Sequence, residues 1–240
     1  MVPIIAVLAA ANLLNNRVAP RLAPLTSAAA TGALVALARR AGLSWRELGF
    51  TAGRRGALAG AALAAGVAAG YAAALAHPRL RPLLLDERAL GISRARLAEE
   101  VLLQVPVGTV LLEEVGFRGV VYGLAERAHG PLAATAVSSG LFGLWHVLPA
   151  LDAYRANPAA AALLAKPPKR DENSAVAAEN AMKMGRVNFT LGTVAGTTGA
   201  GVIFCELRRR YGLLAPALVH WATNAFGYMT SRVARRLSRS

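Results

Sequence analysis

Gln104-Val-Pro-Val-Gly-Thr-Val-Leu-Leu-Glu113-Glu114-Val-Gly-Phe-Arg118-Gly-Val-Val-Tyr-Gly123 places two adjacent glutamates and an arginine inside an otherwise apolar run. At the centre of a bilayer each such charge costs about 2.5–3.5 kcal/mol, so three unpaired ones would cost roughly 8–10 kcal/mol. A helix keeps such a cluster in hydrocarbon only if the charges are paired or used. Two other apolar runs carry polar residues that could compensate, His146 in one and His220 with Asn224 in the other.

The rest of the chain fixes the setting. Of its 240 residues 55% are hydrophobic and only 17% charged, against about a quarter charged in a typical soluble domain. The mean hydropathy is +0.41. This composition predicts an all-α fold, a polytopic membrane bundle of about seven to eight helices forming a single domain over residues 1–240. Apolar helical runs are read at about 3–16, 23–38, 56–77, 97–125, 131–150, 188–207 and 212–233. The first of these has no basic residue ahead of it, which favours a short membrane helix over a cleaved leader. Gly42–Phe50 reads as an interfacial piece with Trp45 at headgroup level, and Ser93 as the cap of the long helix that follows. Pro106 is expected to kink that helix. Residues 151–186, including Lys166-Pro-Pro-Lys-Arg-Asp-Glu-Asn173, read as a solvated loop with one or two short surface helices.

The net charge of +14 is almost wholly arginine, in clusters between apolar runs such as Arg39-Arg40, Arg54-Arg55, Arg208-Arg209-Arg210 and Arg235-Arg236. That distribution suits headgroup contact with a lipid bilayer, and no basic face with aromatic platforms argues for nucleic acid. The clusters do not alternate cleanly between successive connections, so they leave the membrane orientation open. Cys205 is the only cysteine, which excludes an internal disulfide and a cysteine-based zinc site.

Helical geometry divides the roles of the first cluster. Glu114 and Arg118 are i,i+4 neighbours with the acid N-terminal, the favourable order for a pair. Glu113 is rotated by about 100° from Glu114 and must find a partner on another helix, as a general base in an apolar setting would. The plainer alternative for Glu114 and Arg118 is an ion pair that holds helices together. In the second run, Ser138, Ser139, Gly140 and Gly143 permit close helix approach, with Phe142 one turn before His146 on its face. Trp145 reads as packing or an interface anchor. In the third run, His220 and Asn224 share a face and offer hydrogen-bond donors suited to an oxyanion. Zinc held by Glu113, His146 and His220 is the alternative chemistry, although HExxH is absent. No base is placed by sequence beside Ser138 or Ser139 to make either a nucleophile.

Glu113-Glu114-Val-Gly-Phe-Arg118, Phe142-Gly-Leu-Trp-His146 and His220-Trp-Ala-Thr-Asn224 together resemble the EExxxR, FxxxH and HxxxN motifs of the CPBP intramembrane proteases. This family, also called Abi or CAAX-protease, includes the type II CAAX prenyl endopeptidases. The resemblance covers roughly residues 95–230, the expected catalytic core. It implies an intramembrane endopeptidase acting on a membrane-associated protein or peptide substrate. Carried over, Glu113 and His146 would activate water, His220 and Asn224 would stabilise the oxyanion, and Glu114 with Arg118 would brace the helix. No cofactor is expected to be required. The Ala, Arg, Gly and Leu bias fits a bacterial protein of the plasma membrane, where a literal CAAX reaction is not expected. The rival class is a non-proteolytic membrane scaffold or a small-solute permease, since intramembrane charges also mark solute paths.

Overall fold

Apolar runs satisfy their backbone in hydrocarbon by hydrogen bonding along their own length. In the computed structural model, which describes residues 1–51, 53–164 and 175–238, every regular element is a helix. The all-α fold expected from the sequence is the one adopted. Helix α1 is Val2–Leu13, closed by a π-wound turn at Leu14–Val18, α2 is Ala23–Arg40 and α3 is Gly53–Ala76. A one-turn helix at Glu87–Leu90 leads into α4, residues 94–129, whose N-terminus is capped by the Ser93 hydroxyl accepting from the Arg96 amide at 3.1 Å. Gly130, at φ 80°, and Pro131 separate α4 from α5, residues 131–145. Then follow α6 (Val147–Ala156), α7 (Pro158–Leu164), α8 (Ala175–Tyr211) and α9 (Leu214–Leu237).

Residues 20–40, 53–76 and 179–211 are long and apolar enough to cross a membrane. The run from Arg94 through Ala156, bent by 43° after Trp145, is a fourth candidate.

Several boundaries differ from the sequence expectation. The second motif run does not continue through residue 150: its helix stops at Trp145, and His146 (φ −84°, ψ 2°) is the break before α6. Helix α8 is already formed at Ala175, so the loop expected up to residue 186 is helical over its last third. Where one or two short helices are expected, there are α7 and the end of α6, which starts at Val147, whereas Lys166–Asn173 lies outside the described residues. Pro106 sits within a π-wound stretch, Glu100–Leu111, where the changed hydrogen-bond register accommodates its missing N–H.

The core gathers Leu8, Leu34, Leu112, Phe117, Val121 and Phe142, so α1 and α2 pack directly on the glutamate-bearing helix. In the 42–50 segment Leu43 and Leu48 are fully buried while Trp45 stays exposed beneath Arg39, whose guanidinium is 5.2 Å from its ring. Arg208 is not a headgroup residue. It is buried over the Tyr122 ring at 4.2 Å and donates to the carbonyls of Arg118, at 3.1 Å, and Glu47. Its neighbours Arg209 and Arg210 are exposed and pair with Glu206.

Close approach between α5 and α8 depends on small residues. A Cβ on Gly143 would meet Thr198 Oγ1 and, at 2.9 Å, the Val194 carbonyl, and one on Gly201 would lie 2.9 Å from Ser139 Cα. Gly140 has open space on that side and takes no part in the approach. Overpacking a tight contact costs about 1–3 kcal/mol. Gly143→Val is therefore expected to lower the unfolding temperature in detergent by several degrees, with Gly140→Ala unchanged or slightly higher.

Glu47 fastens the 42–50 segment to α4. The Ser44 hydroxyl, then the Ser44 amide, then Arg127 hold its carboxyl down from the ordinary 4.5 to about 2. A lowered folded-state value means the attachment contributes fully above pH 4.5 and is lost as pH falls through about 2. Thermal unfolding followed between pH 5 and 2 should show this acid-dependent loss in the wild type, reduced in Glu47→Gln.

Candidate active site

Glu113 and Glu114 occupy the middle of α4, at the start of its second π-wound stretch, Glu114–Val121. Glu113, Glu114 and Arg118 are 5%, 1% and 0% exposed. Groups buried this deeply require partners, because each unpaired ion carries a desolvation penalty of several kcal/mol. Arg118 Nη1 lies 3.4 Å from Glu114 Oε1. Its guanidinium carbon stands 3.7 Å from the Phe142 ring centre and 5.0 Å from that of Phe204. Two aromatic faces therefore hold the cation where water cannot, at about 2 kcal/mol for a desolvated contact.

Glu114 has a second partner. Its Oε1 accepts from His220 Nδ1 at 2.7 Å, the shortest polar contact in the cluster. Held at Nδ1 by the Glu114 carboxylate, the His220 ring directs its Nε2 toward Glu113. That atom is 3.7 Å from Glu113 Oε2. His146 repeats the arrangement from another helix. Its Nδ1 donates to the Phe142 carbonyl at 2.8 Å, and its Nε2 stands 3.9 Å from the same Glu113 oxygen. Phe142 supports both rings, with centroids 4.6 Å from His146 and 5.9 Å from His220.

Glu113 is thus the point of convergence. Its Oε1 accepts from Trp145 Nε1 at 2.9 Å, while its Oε2 has no hydrogen-bond partner among the described residues. The two imidazoles are too far from Oε2 for direct hydrogen bonds. A small nucleophile such as water can bridge that spacing.

Glu113, Trp145, His146 and Asn224 line one cavity of about 650 Å³, which extends past Thr109 and Thr193 to Gln104 and Arg96. His220 is more deeply set, 5% exposed and turned toward the two glutamates. The sequence places His220 and Asn224 on one helical face. In the fold they serve adjoining spaces, Asn224 on the cavity wall and His220 behind Glu113.

Three features were missed at the sequence level. Trp145, read as packing, donates to Glu113, and the signal was available, because a buried indole N–H needs an acceptor. Glu114 holds His220 as well as Arg118, which requires knowing that α9 crosses α4 at that height. Phe204, 5.5 Å from the His220 ring and adjacent to Arg118, belongs to no motif spacing.

Among the described residues no group of three His, Cys, Asp or Glu side chains is placed to hold a metal ion. The 3.7 and 3.9 Å separations at Glu113 Oε2 exceed the roughly 3.4 Å between two ligands at about 2.1 Å from one tetrahedral zinc. As positioned, these residues do not fit a zinc site.

The profile of the type II CAAX prenyl endopeptidase Rce1-like family matches residues 100–226, just over half of the chain. That segment contains Glu113, Glu114, Arg118, His146, His220 and Asn224. No curated protein and no solved structure matches the chain. With its helices able to span a membrane, the chain belongs to the Rce1-like family of type II CAAX prenyl endopeptidases, a family of proteases.

Proposed function

We propose that the protein is an intramembrane endopeptidase of a bacterial plasma membrane, hydrolysing a peptide bond in a membrane-associated protein or peptide by direct attack of water. The observation that carries this reading is Glu113 Oε2, a buried carboxylate oxygen without a hydrogen-bond partner among the described residues that faces two imidazole Nε2 atoms at 3.7 and 3.9 Å. A water bound between Glu113 Oε2 and His146 Nε2 loses a proton to Glu113 as its oxygen attacks the carbonyl carbon. The same proton then passes to the leaving nitrogen as the C–N bond breaks. General-base assistance of this kind contributes about 10²–10⁴-fold.

The negative oxygen of the tetrahedral intermediate needs hydrogen-bond donors. Asn224 offers its amide from the wall. His220 serves as the second donor in its doubly protonated form, with Nδ1–H held by the Glu114 carboxylate and Nε2–H available to that oxygen, and it keeps both protons through the reaction. Arg118 balances the charge of Glu114. The cavity continues from Glu113 to Gln104 and Arg96 along α4, leaving room for an extended peptide beside the reacting groups. We place no metal in this mechanism and no cofactor requirement on it.

Reconstituted wild-type protein and its Glu113→Gln variant, compared on a membrane-anchored peptide, test the assignment. Glu113→Gln is expected to lower kcat by about 10³-fold, since the amide cannot take the proton. Asn224→Ala is expected to lower it by about 10²-fold while substrate binding is largely retained. Undiminished turnover in Glu113→Gln would overturn the mechanism. Metal analysis is the complementary measurement. Full activity after exhaustive chelation is expected, and loss of activity restored by zinc would replace the carboxylate-and-water scheme with a metal one.

A further inference from the structure

Trp145 and His146 are adjacent in sequence yet address the two oxygens of one carboxylate. Trp145 Nε1 is 2.9 Å from Glu113 Oε1 and His146 Nε2 is 3.9 Å from Glu113 Oε2. On a regular helix consecutive side chains diverge by about 100°. The break at His146, with φ −84° and ψ 2°, allows both to reach the same group. We propose that Trp145 is a positioning residue for Glu113: its indole N–H occupies Oε1 and so directs Oε2 alone toward the two imidazoles. The proposal rests on reading Glu113 as the general base.

A carboxylate turns easily about its last torsion, and either oxygen can then face the reacting water. One fixed hydrogen bond removes that freedom, and misplacement by about 1 Å can cost 10²-fold in rate. Trp145 is well suited to hold it. The indole is buried, packed edge-on against Phe117 at 5.5 Å, and Phe117 packs in the same way on Phe142. The Trp145 carbonyl, whose i+4 residue is Pro149 and therefore has no N–H to donate, accepts from Asn12 Nδ2 at 2.9 Å in a buried contact. Asn12 lies on α1, outside residues 100–226 that match the family, so the N-terminal helix has a part in aligning the base. Trp221 provides the contrast within the same chain, donating to the backbone carbonyl of Val101 at 3.0 Å as an ordinary structural indole does.

The test compares Trp145→Phe with a protein carrying β-(3-benzothienyl)alanine at position 145, which keeps the shape of the indole and replaces its N–H by sulfur. Both are assayed in liposomes on the membrane-anchored peptide used for Glu113→Gln. The benzothienyl protein is expected to lose about 10–100-fold in kcat with KM unchanged within about twofold, and Trp145→Phe at least as much. Asn12→Leu, with Trp145 intact, is expected to lose a smaller factor in kcat alone. Wild-type kcat in the benzothienyl protein would overturn the proposal whatever Trp145→Phe does, because packing without the donor would then suffice. If Glu113→Gln is inactive in the same assays, such a result removes only the role of Trp145. If Glu113→Gln is fully active, the general-base reading fails and the positioning role fails with it.

Discussion

The burial of two carboxylates and a guanidinium within a few residues of each other is the constraint to which the rest of the structure answers. Glu113, Glu114 and Arg118 are each at most 5% exposed, and none could remain so without local compensation. Arg118 and His220 both meet one oxygen of Glu114, while Phe142 and Phe204 face the guanidinium. These contacts consume the bonding capacity of Glu114 Oε1. Glu113 is compensated less completely, by one indole N–H on one oxygen. Glu114 Oε2, like Glu113 Oε2, has no hydrogen-bond partner among the described residues, but only Glu113 lines the cavity and turns its open oxygen toward both imidazole Nε2 atoms.

Meeting that constraint required departures from regular helix in all the places that matter. Helix α4 is π-wound on both sides of Glu113, as helices often are at functional positions. Helix α5 ends at Trp145 and the break at His146 lets Trp145 and His146 converge on one carboxylate, while Pro149, with no N–H, leaves the Trp145 carbonyl to Asn12. Behind the site, Arg208 clasps the carbonyl of Arg118 and that of Glu47, so α8 also secures the π-wound segment from its far side. Small residues at Gly143 and Gly201 bring α5 and α8 together, which sets Phe142 and Phe204 6.4 Å apart around the cation.

How much of this could be read from the chain depends on the range of the interaction. That the two glutamates have different partners follows from the angle between consecutive helical residues, and the structure pairs Glu114 with Arg118 while Glu113 faces His146 and His220. The all-α class follows from composition. What lay beyond reach were contacts between distant elements: Glu114 with His220, Asn12 with Trp145, Arg208 with Glu47. Arg208 was grouped with Arg209 and Arg210 because a run of arginines at a helix end usually meets headgroups. Only the crossing of α8 against Tyr122 separates the buried one. The extra turns of α8 before residue 188 were hidden because Glu179, Lys183 and Arg186 interrupt the apolar pattern, although Glu179 and Lys183 form an i,i+4 pair on that helix.

In the proposed reaction water, activated by Glu113, attacks the peptide bond directly, with no acyl group carried by the protein. Single-turnover cleavage in ¹⁸O-labelled water with hydroxylamine present tests this most directly. Direct attack by water gives one labelled oxygen in the new carboxylate and no hydroxamate, because there is no acyl-enzyme for hydroxylamine to intercept. Formation of a hydroxamate, or of a covalent adduct on Glu113 or a serine such as Ser138, would contradict it.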